Sequence, residues 1–261
     1  MDYQTLILTR ENGVATIMLN RPEVLNALNA KSSEELGMAI EEAGTDAAVR
    51  VLIITGAGRG FCAGGDMKDL PVSAGNMVAS TEALEAWHKI LLSIRRLEKP
   101  VIAAINGVAV GGGLDLALMC DIRIASENAR FGEAYVRVGG VPDSGGTYLL
   151  PRLIGAARAC EMLFTGDMID AREAERIGLV NKMVPADKLQ SATGELAARI
   201  AAGPPLSIGL TKRAIYMGAN QDIESALRYI ALITGLCLQT DDASEGIKAF
   251  AEKRRPEFKG K

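Results

Sequence analysis

The stretch VIAAINGVAVGGGLDLALMCDIRIA, residues 101–125, carries the reading of the fold. It opens on an apolar, partly β-branched run, Val101 to Asn106, passes through the glycine cluster Asn106 to Gly113, and returns to a second such run, Ile122 to Ala125. Runs of this kind bounded by glycine read as buried strands, and the segment between them reads as a helix led by the three glycines. An earlier segment has the same form. Val51 to Thr55 leads into Gly56 to Gly60 and on to Phe61-Cys62-Ala63-Gly64-Gly65-Asp66. Glycine permits unusual backbone angles and lets a ligand approach bare N–H groups, and a helix that follows adds its positive N-terminal end. Two such loops can aim two amides at one oxygen. Glycine content alone equally describes two βα turns packed closely against each other.

Working outward, strand-like runs fall at 5–9, 14–20 and 49–55, with helical patterns between several of the runs, which gives an α/β chain. Ser32, Ser33 and Glu35 mark a helix start, the helix running to about Asp46, and Leu84, Trp87, Leu91, Ile94 and Leu97 form a stripe at helical spacing ending before Pro100. Beyond Asp187 the pattern is almost wholly helical, over 187–202, 205–218, 222–239 and 242–254. Gly203-Pro204-Pro205 suggests a division into an α/β core, 1–200, and a helical region, 201–261.

Composition removes several classes. A chain of 261 residues can bury a sizeable core, and 48% hydrophobic with 23% charged residues is an ordinary globular balance. A net charge of -3 offers no basic face, which argues against nucleic acid or an anionic membrane as partner. The most apolar stretch carries Asn106, Asp115 and four glycines, and the start lacks a basic segment followed by an apolar one, so the expectation is a cytoplasmic protein that does not span a membrane. Cys62, Cys120, Cys160 and Cys237 are widely spaced without a CxxC pair, which fits a reducing compartment. There is one histidine, His88, so neither a histidine metal cluster nor a choice of Ser-His pairs exists.

Two motifs are set aside. Gly56-Ala57-Gly58-Arg59-Gly60 follows a strand as a dinucleotide fingerprint would, yet its third glycine arrives one position early and Phe61 to Gly65 is a poor helix opening. Pro142-Asp143-Ser144-Gly145-Gly146 is similar to the nucleophile loop of trypsin-like proteases, but its base would have to be His88, which sits between Trp87 and Lys89 on an amphipathic helix and reads as a solvated or edge-of-core residue.

Six ordered motifs together resemble the crotonase, or enoyl-CoA hydratase/isomerase, superfamily. They are Leu19-Asn20-Arg21-Pro22 with Leu25-Asn26-Ala27-Leu28, AGGDMK at 63–68, the run at 99–125, FGEAYVRVGGVPDSGG at 131–146, LPRLIG at 150–155, and AEKRRPEFKG at the end. The resemblance implies a crotonase-like core of repeated ββα units and a C-terminal helical trimerisation region, giving a homotrimer or a hexamer built as a dimer of trimers. It implies an acyl-CoA thioester as substrate, with coenzyme A present only as part of that substrate and no metal or redox cofactor. By motif position the thioester oxygen would be held by the amides of Gly65 and Gly112, an oxyanion hole for an enolate. CoA phosphates must be met by discrete cations in a slightly acidic protein, and Arg21, Lys68 and Lys253 are the candidates, each of which also reads as a solvated surface charge.

The acid/base groups depart from the familiar hydratase, which the resemblance furnishes with two glutamates. This chain has Asp115 at the first place and Tyr135 at the second, with Asp143 where dienoyl-CoA isomerases and an isomerase of aromatic degradation carry an aspartate. Two carboxylates at different points along an acyl chain suit a proton shuttle, and they suit the positioning of water for hydration equally. Tyr135 is a poor base and a good donor, or else a plain part of the pocket wall. The aspartates could instead be helix caps, Asp115 on the glycine-led helix and Asp143 on a helix starting at Ser144. The expected function is hydration or isomerisation of a C=C bond in an unsaturated acyl-CoA through a stabilised enolate. The alternatives are hydrolytic ring opening of a cyclic oxo-acyl-CoA, or a catalytically silent CoA-binding member.

Overall fold

The structure, a computed structural model, describes residues 2–68 and 77–261. The chain opens on a hairpin, β1 (Leu6–Glu11) and β2 (Val14–Leu19), turned at Asn12 and Gly13, both with positive φ as a two-residue turn of this hand requires. The helix α1 (Ala30–Thr45) follows, starting two residues before the predicted serine. Asn29 and Ser32 cap it reciprocally, and Glu35, expected in a capping role, is buried and accepts the amides of Gln4 and Thr5.

Three successive units then repeat one pattern of strand, strand, helix. They are β3 (Val51–Gly56), β4 (Gly60–Cys62) and α2 (Met77–Arg96), then β5 (Val101–Ile105), β6 (Val108–Val110) and α3 (Gly112–Met119), then β7 (Ile122–Ser126), β8 (Arg130–Gly132) and α4 (Gly146–Ile154). In each, the first strand joins a larger sheet of order β1-β2-β3-β5-β7-β10 and the second joins a smaller one of order β4-β6-β8-β9. The chain goes on through α5 (Ala156–Thr165), β9 (Ile169–Asp170), α6 (Ala171–Arg176) and β10 (Lys182–Val184). It ends in α7 (Leu189–Ala201), α8 (Pro205–Gly218), α9 (Ile223–Cys237) and α10 (Asp241–Glu252). β2, β3, β5, β7 and β10 run parallel, with Ile53 opposite Ile102 and Ile102 opposite Ile122.

The register explains why β3 and β5 read as unbroken apolar runs. Leu52, Ile54, Ala103 and Ile105 face the main core, while Val51, Ile53, Ile102 and Ala104 face a second cluster closed by Leu189, Ala197 and Ala201 of α7. A parallel sheet covered on both faces needs apolar residues at every position. The helices beyond α7 are tied to this body by polar bonds. Arg50 donates to the carbonyls of Ala201 and Phe258, and the buried Lys212 ammonium pairs with Asp121 at 2.8 Å and donates to the carbonyls of Ile94 and Lys99.

The smaller sheet positions the site. β4, β6 and β8 are parallel neighbours, so the loops that leave their carboxyl ends lie side by side. Gly65 follows β4, Gly112 follows β6, and Glu133 and Tyr135 follow β8. The carboxyl ends of parallel strands are where open α/β sheets place ligands.

Candidate active site

The two glycine loops meet. An isolated parallel bridge joins Leu28 to Gly65, with the Leu28 amide donating to the Gly64 carbonyl at 2.7 Å and the Asp66 amide to the Leu28 carbonyl at 2.8 Å. Those bonds use the groups on either side of Gly65, so its own N–H faces the other way, toward α3. Gly112 is the first residue of α3, where an amide has no acceptor inside its helix. Gly111, at φ 53, and Gly64, at φ 89, make the turns that bring the loops together. A Cβ on Gly112 would stand 3.9 Å from the Gly65 nitrogen and 3.6 Å from the Tyr135 hydroxyl oxygen. The approach of α3 is closer still behind them, since a Cβ on Gly113 would lie 2.1 Å from the Cys62 carbonyl oxygen. Two amides unengaged by their own backbone therefore stand beside one phenol.

That phenol joins the two aspartates. Tyr135 donates to Asp115 Oδ2 at 2.7 Å and lies 3.2 Å from Asp143 Oδ1. Asp143 is held from its far side. Ser144 donates to Asp143 Oδ1 at 2.7 Å while accepting the Trp87 indole N–H at 2.8 Å, and His88 Nε2 donates to the Asp143 carbonyl at 2.5 Å. Two adjacent ring donors of α2 thus clamp the loop before α4. His88, read from the sequence as solvated or at the edge of the core, is half buried and serves this loop.

Neither aspartate is a helix cap. Asp115 is the fourth residue of α3, behind a Gly111 N-cap, and α4 begins at Gly146 behind Gly145 at φ 107, leaving Asp143 outside it. Burial pushes the Asp115 carboxyl well above the ordinary carboxylate range, against the Tyr135 hydrogen bond, and the nearby Asp143 charge adds to the rise. Burial, then the Asp115 charge, push the Tyr135 phenol up, so it stays neutral and works as a donor.

One residue of the cluster escapes the sequence reading. Glu133, two positions before Tyr135, is fully buried, and among the described residues both its carboxyl oxygens lack a partner. Burial first, then the charges of Asp115 and Asp143, drive its carboxyl further upward than that of Asp115. Its sequence neighbours are glycine and alanine, which carry no periodicity that would reveal a buried side chain.

The three candidate cations are not gathered with these groups. Arg21 is engaged within the protein, donating to the Ala27 carbonyl at 2.7 Å and pairing with Asp66 Oδ2 at 2.9 Å, which steadies the loop around Gly65. Lys68 is exposed one residue beyond AGGDM, and Lys253 ends α10 at φ 54. Among the described residues, no group of three or more His, Cys, Asp or Glu side chains is arranged to hold a metal, and no helix is long and apolar enough to cross a membrane.

Comparison with known proteins bears on this geometry. Residues 9–261 match the family model described as enoyl-CoA hydratase/isomerase. The chain is 44% identical over 254 residues to the (E)-benzylidenesuccinyl-CoA hydratase of Thauera aromatica, covering 95% of this chain and 96% of that protein. It is 41% identical over 258 residues to the short-chain-enoyl-CoA hydratase of Clostridium acetobutylicum, covering 98% of each. A crystal structure of an enoyl-CoA hydratase from Bacillus anthracis superimposes with a TM-score of 0.94 at 38% identity, covering 99% of this chain and 100% of that one. With two facing glycine amides, a buried acid/base cluster and a match along nearly its whole length, the chain belongs to the enoyl-CoA hydratase/isomerase family.

Proposed function

We propose that this enzyme moves a C=C bond along an unsaturated acyl-CoA, with the thioester oxygen on the amides of Gly65 and Gly112 and the proton traffic carried by Asp143, Tyr135 and Asp115. One observation carries the reading, namely a single phenol that touches both aspartates, at 2.7 and 3.2 Å. Asp143 takes a proton from the remote carbon, and the two amides stabilise the resulting dienolate oxygen. A donor of this kind is worth about 3–4 kcal/mol where it has been removed. Asp115, buried and held toward its acid form, returns a proton elsewhere along the conjugated system. The site is then left with the proton on the wrong aspartate. The phenol corrects this by donating to Asp115 while accepting from Asp143, and the cycle closes without solvent.

Hydration is the second reading, and the names of the two relatives above favour it. There the same carboxyl groups position and deprotonate a water while the amides hold the same enolate. Neither reaction needs a metal or a redox group, and CoA enters only as the carrier of the substrate. Among the described residues Lys68 and Lys253 form no ion pair and can meet its phosphates, Arg21 only by sharing its guanidinium with Asp66. Cytoplasmic residence fits a CoA substrate and four unpaired cysteines. The aspartates favour this chemistry over a silent CoA-binding member, and ring opening of a cyclic oxo-acyl-CoA would be visible in the same test.

The test is a panel of 3-enoyl-, 2-enoyl-, dienoyl- and cyclic enoyl-CoA thioesters, followed by conjugated absorbance and product mass. Isomerisation gives a product of unchanged mass, whereas hydration adds the mass of water. A hydroxyacyl product as the sole outcome on every substrate would overturn the isomerase reading.

Assembly belongs to the same proposal. No residue of α9 is buried, and Ile223, Leu227, Leu232 and Leu236, on two opposite sides of it, are 74, 56, 71 and 62% exposed, so this helix calls for a second copy of the chain, in a trimer or a pair of trimers. Sedimentation as a monomer at micromolar protein would refute it.

A further inference from the structure

A buried carboxyl group without a partner costs free energy that a folded protein offsets elsewhere, and such groups persist at sites that use them. Glu133 is one, and it has company. Asp115 Oδ1 is also buried without a partner among the described residues, on the side of Asp115 away from Tyr135. One orphan oxygen of each acid lies at Gly146, since a Cβ there would be 2.7 Å from Asp115 Oδ1 and 3.0 Å from Glu133 Oε1. The two oxygens are therefore separated by no more than those distances combined. That interval admits a hydrogen bond between the two carboxyl groups, direct or through one water, when one of them is protonated. Gly146 also opens α4, whose positive end points at both acids.

We propose that Glu133 is a positioning residue of the proton relay, standing protonated behind Asp115 and supplying, directly or through one water, a hydrogen bond to the Asp115 anion once it has given its proton away. This rests on Asp115 acting as the acid of the proposed reaction. The groups that face this pair are Asp115 from α3, Tyr135 after β8, Asp143 and Ser144 before α4, and His88 from α2 behind Asp143. No cation pairs with Glu133 among the described residues, and burial with two neighbouring carboxylates keeps it in the acid form. In that form it can donate. Turnover leaves Asp115 charged with one oxygen served by Tyr135 and the other beside the Gly146 amide, where Glu133 is the neighbouring acid.

The test compares Glu133→Gln, which keeps a neutral donor, with Glu133→Leu, which removes it. Activity falls on the alkaline side as Asp115 loses its proton, so removing a donor to the anion moves that limb of the kcat/KM profile upward. Glu133→Leu should raise the limb by about one pH unit and lower kcat by about tenfold with KM held, whereas Glu133→Gln should leave both within about twofold of the wild type. Infrared difference spectra at pH 7 should show a protonated-carboxyl band that Glu133→Gln deletes and Asp115→Asn shifts. An unmoved limb in Glu133→Leu overturns the proposal, as does damage by Glu133→Gln equal to that by Glu133→Leu. If Glu133→Leu does not fold, Gly146→Ala fills the same space and should move the same limb, and the infrared band decides independently. Should Asp115→Asn keep full activity, the reaction scheme fails, while the band still reports whether Glu133 and Asp115 share a bond.

Discussion

Tyr135→Phe isolates the relay. Phenylalanine keeps the ring, which packs against Gly111, where a Cβ would lie 3.6 Å from the ring edge, and removes only the hydroxyl. The bond lost runs 2.7 Å to a buried carboxyl group. A hydrogen bond to a charged group is worth about 1.5–3 kcal/mol, and at about 1.4 kcal/mol per tenfold in rate the expected fall in kcat is about 10–10². The hydroxyl favours the Asp115 anion, so its removal also raises an already raised carboxyl pKa and carries the alkaline limb of the pH profile upward. KM should change little, because the thioester still meets Gly65 and Gly112. The assay is the appearance of conjugated absorbance from a 3-enoyl-CoA across pH 6 to 10, beside a thermal transition and sedimentation of each variant. A kcat within about threefold of wild type with the alkaline limb unmoved would show that the phenol is pocket wall and nothing more.

Other perturbations address the neighbouring parts. Asp143→Asn and Asp115→Asn should each lower turnover by about 10²–10⁴ with CoA binding retained, and the double variant should cost far less than the product because the two act as a unit. Additive losses in that cycle would separate them. Gly113→Ala places a methyl 2.1 Å from the Cys62 carbonyl, so α3 must retreat and take the Gly112 amide with it; a displacement of about 1 Å can cost about 10²-fold, seen as lost turnover with assembly intact. Glu133→Gln should stabilise the protein at alkaline pH. The folded carboxyl is raised to about 10, so the native state keeps a proton that the unfolded chain releases, and stability is lost from the ordinary glutamate range upward at about 1.4 kcal/mol per pH unit. Denaturant midpoints of the two proteins should coincide near pH 4 and diverge by pH 8, and parallel curves would contradict the burial of an acid form.

What the sequence discloses follows the length over which a pattern can repeat. β1, β2, β3, β5 and β7 lie within two residues of their expected ends because strands of five or six residues are long enough to make a signal, and the α/β character follows from them. β4, β6 and β8 have three residues each, too few for any period, and exist because each is a parallel neighbour of the next. The second sheet, and with it the reason the glycine loops adjoin, is a tertiary fact. At the site, Asp115, Tyr135 and Asp143 come together as their motif positions imply, whereas Trp87 and Ser144 read only as part of a stripe and a helix start. Glu133 shows the limit most clearly. A single glutamate in FGEAY has the composition of a surface loop, and only the convergence on Gly146 reveals it as interior.

The alternation of strands between two sheets has a dynamic corollary. Each repeating unit sends five or six residues into a sheet sealed on both faces and, a few residues later, three into a smaller one that ends at the substrate loops. Hydrogen exchange should therefore be steeply graded within single turns of the spiral, slowest at Ile53, Ile102 and Ile124 and orders of magnitude faster at Gly65 and Gly112. The enzyme's most and least protected amides would then be separated by about a dozen residues of chain, with the rigid sheet acting as the anvil against which the exposed donors are held in place.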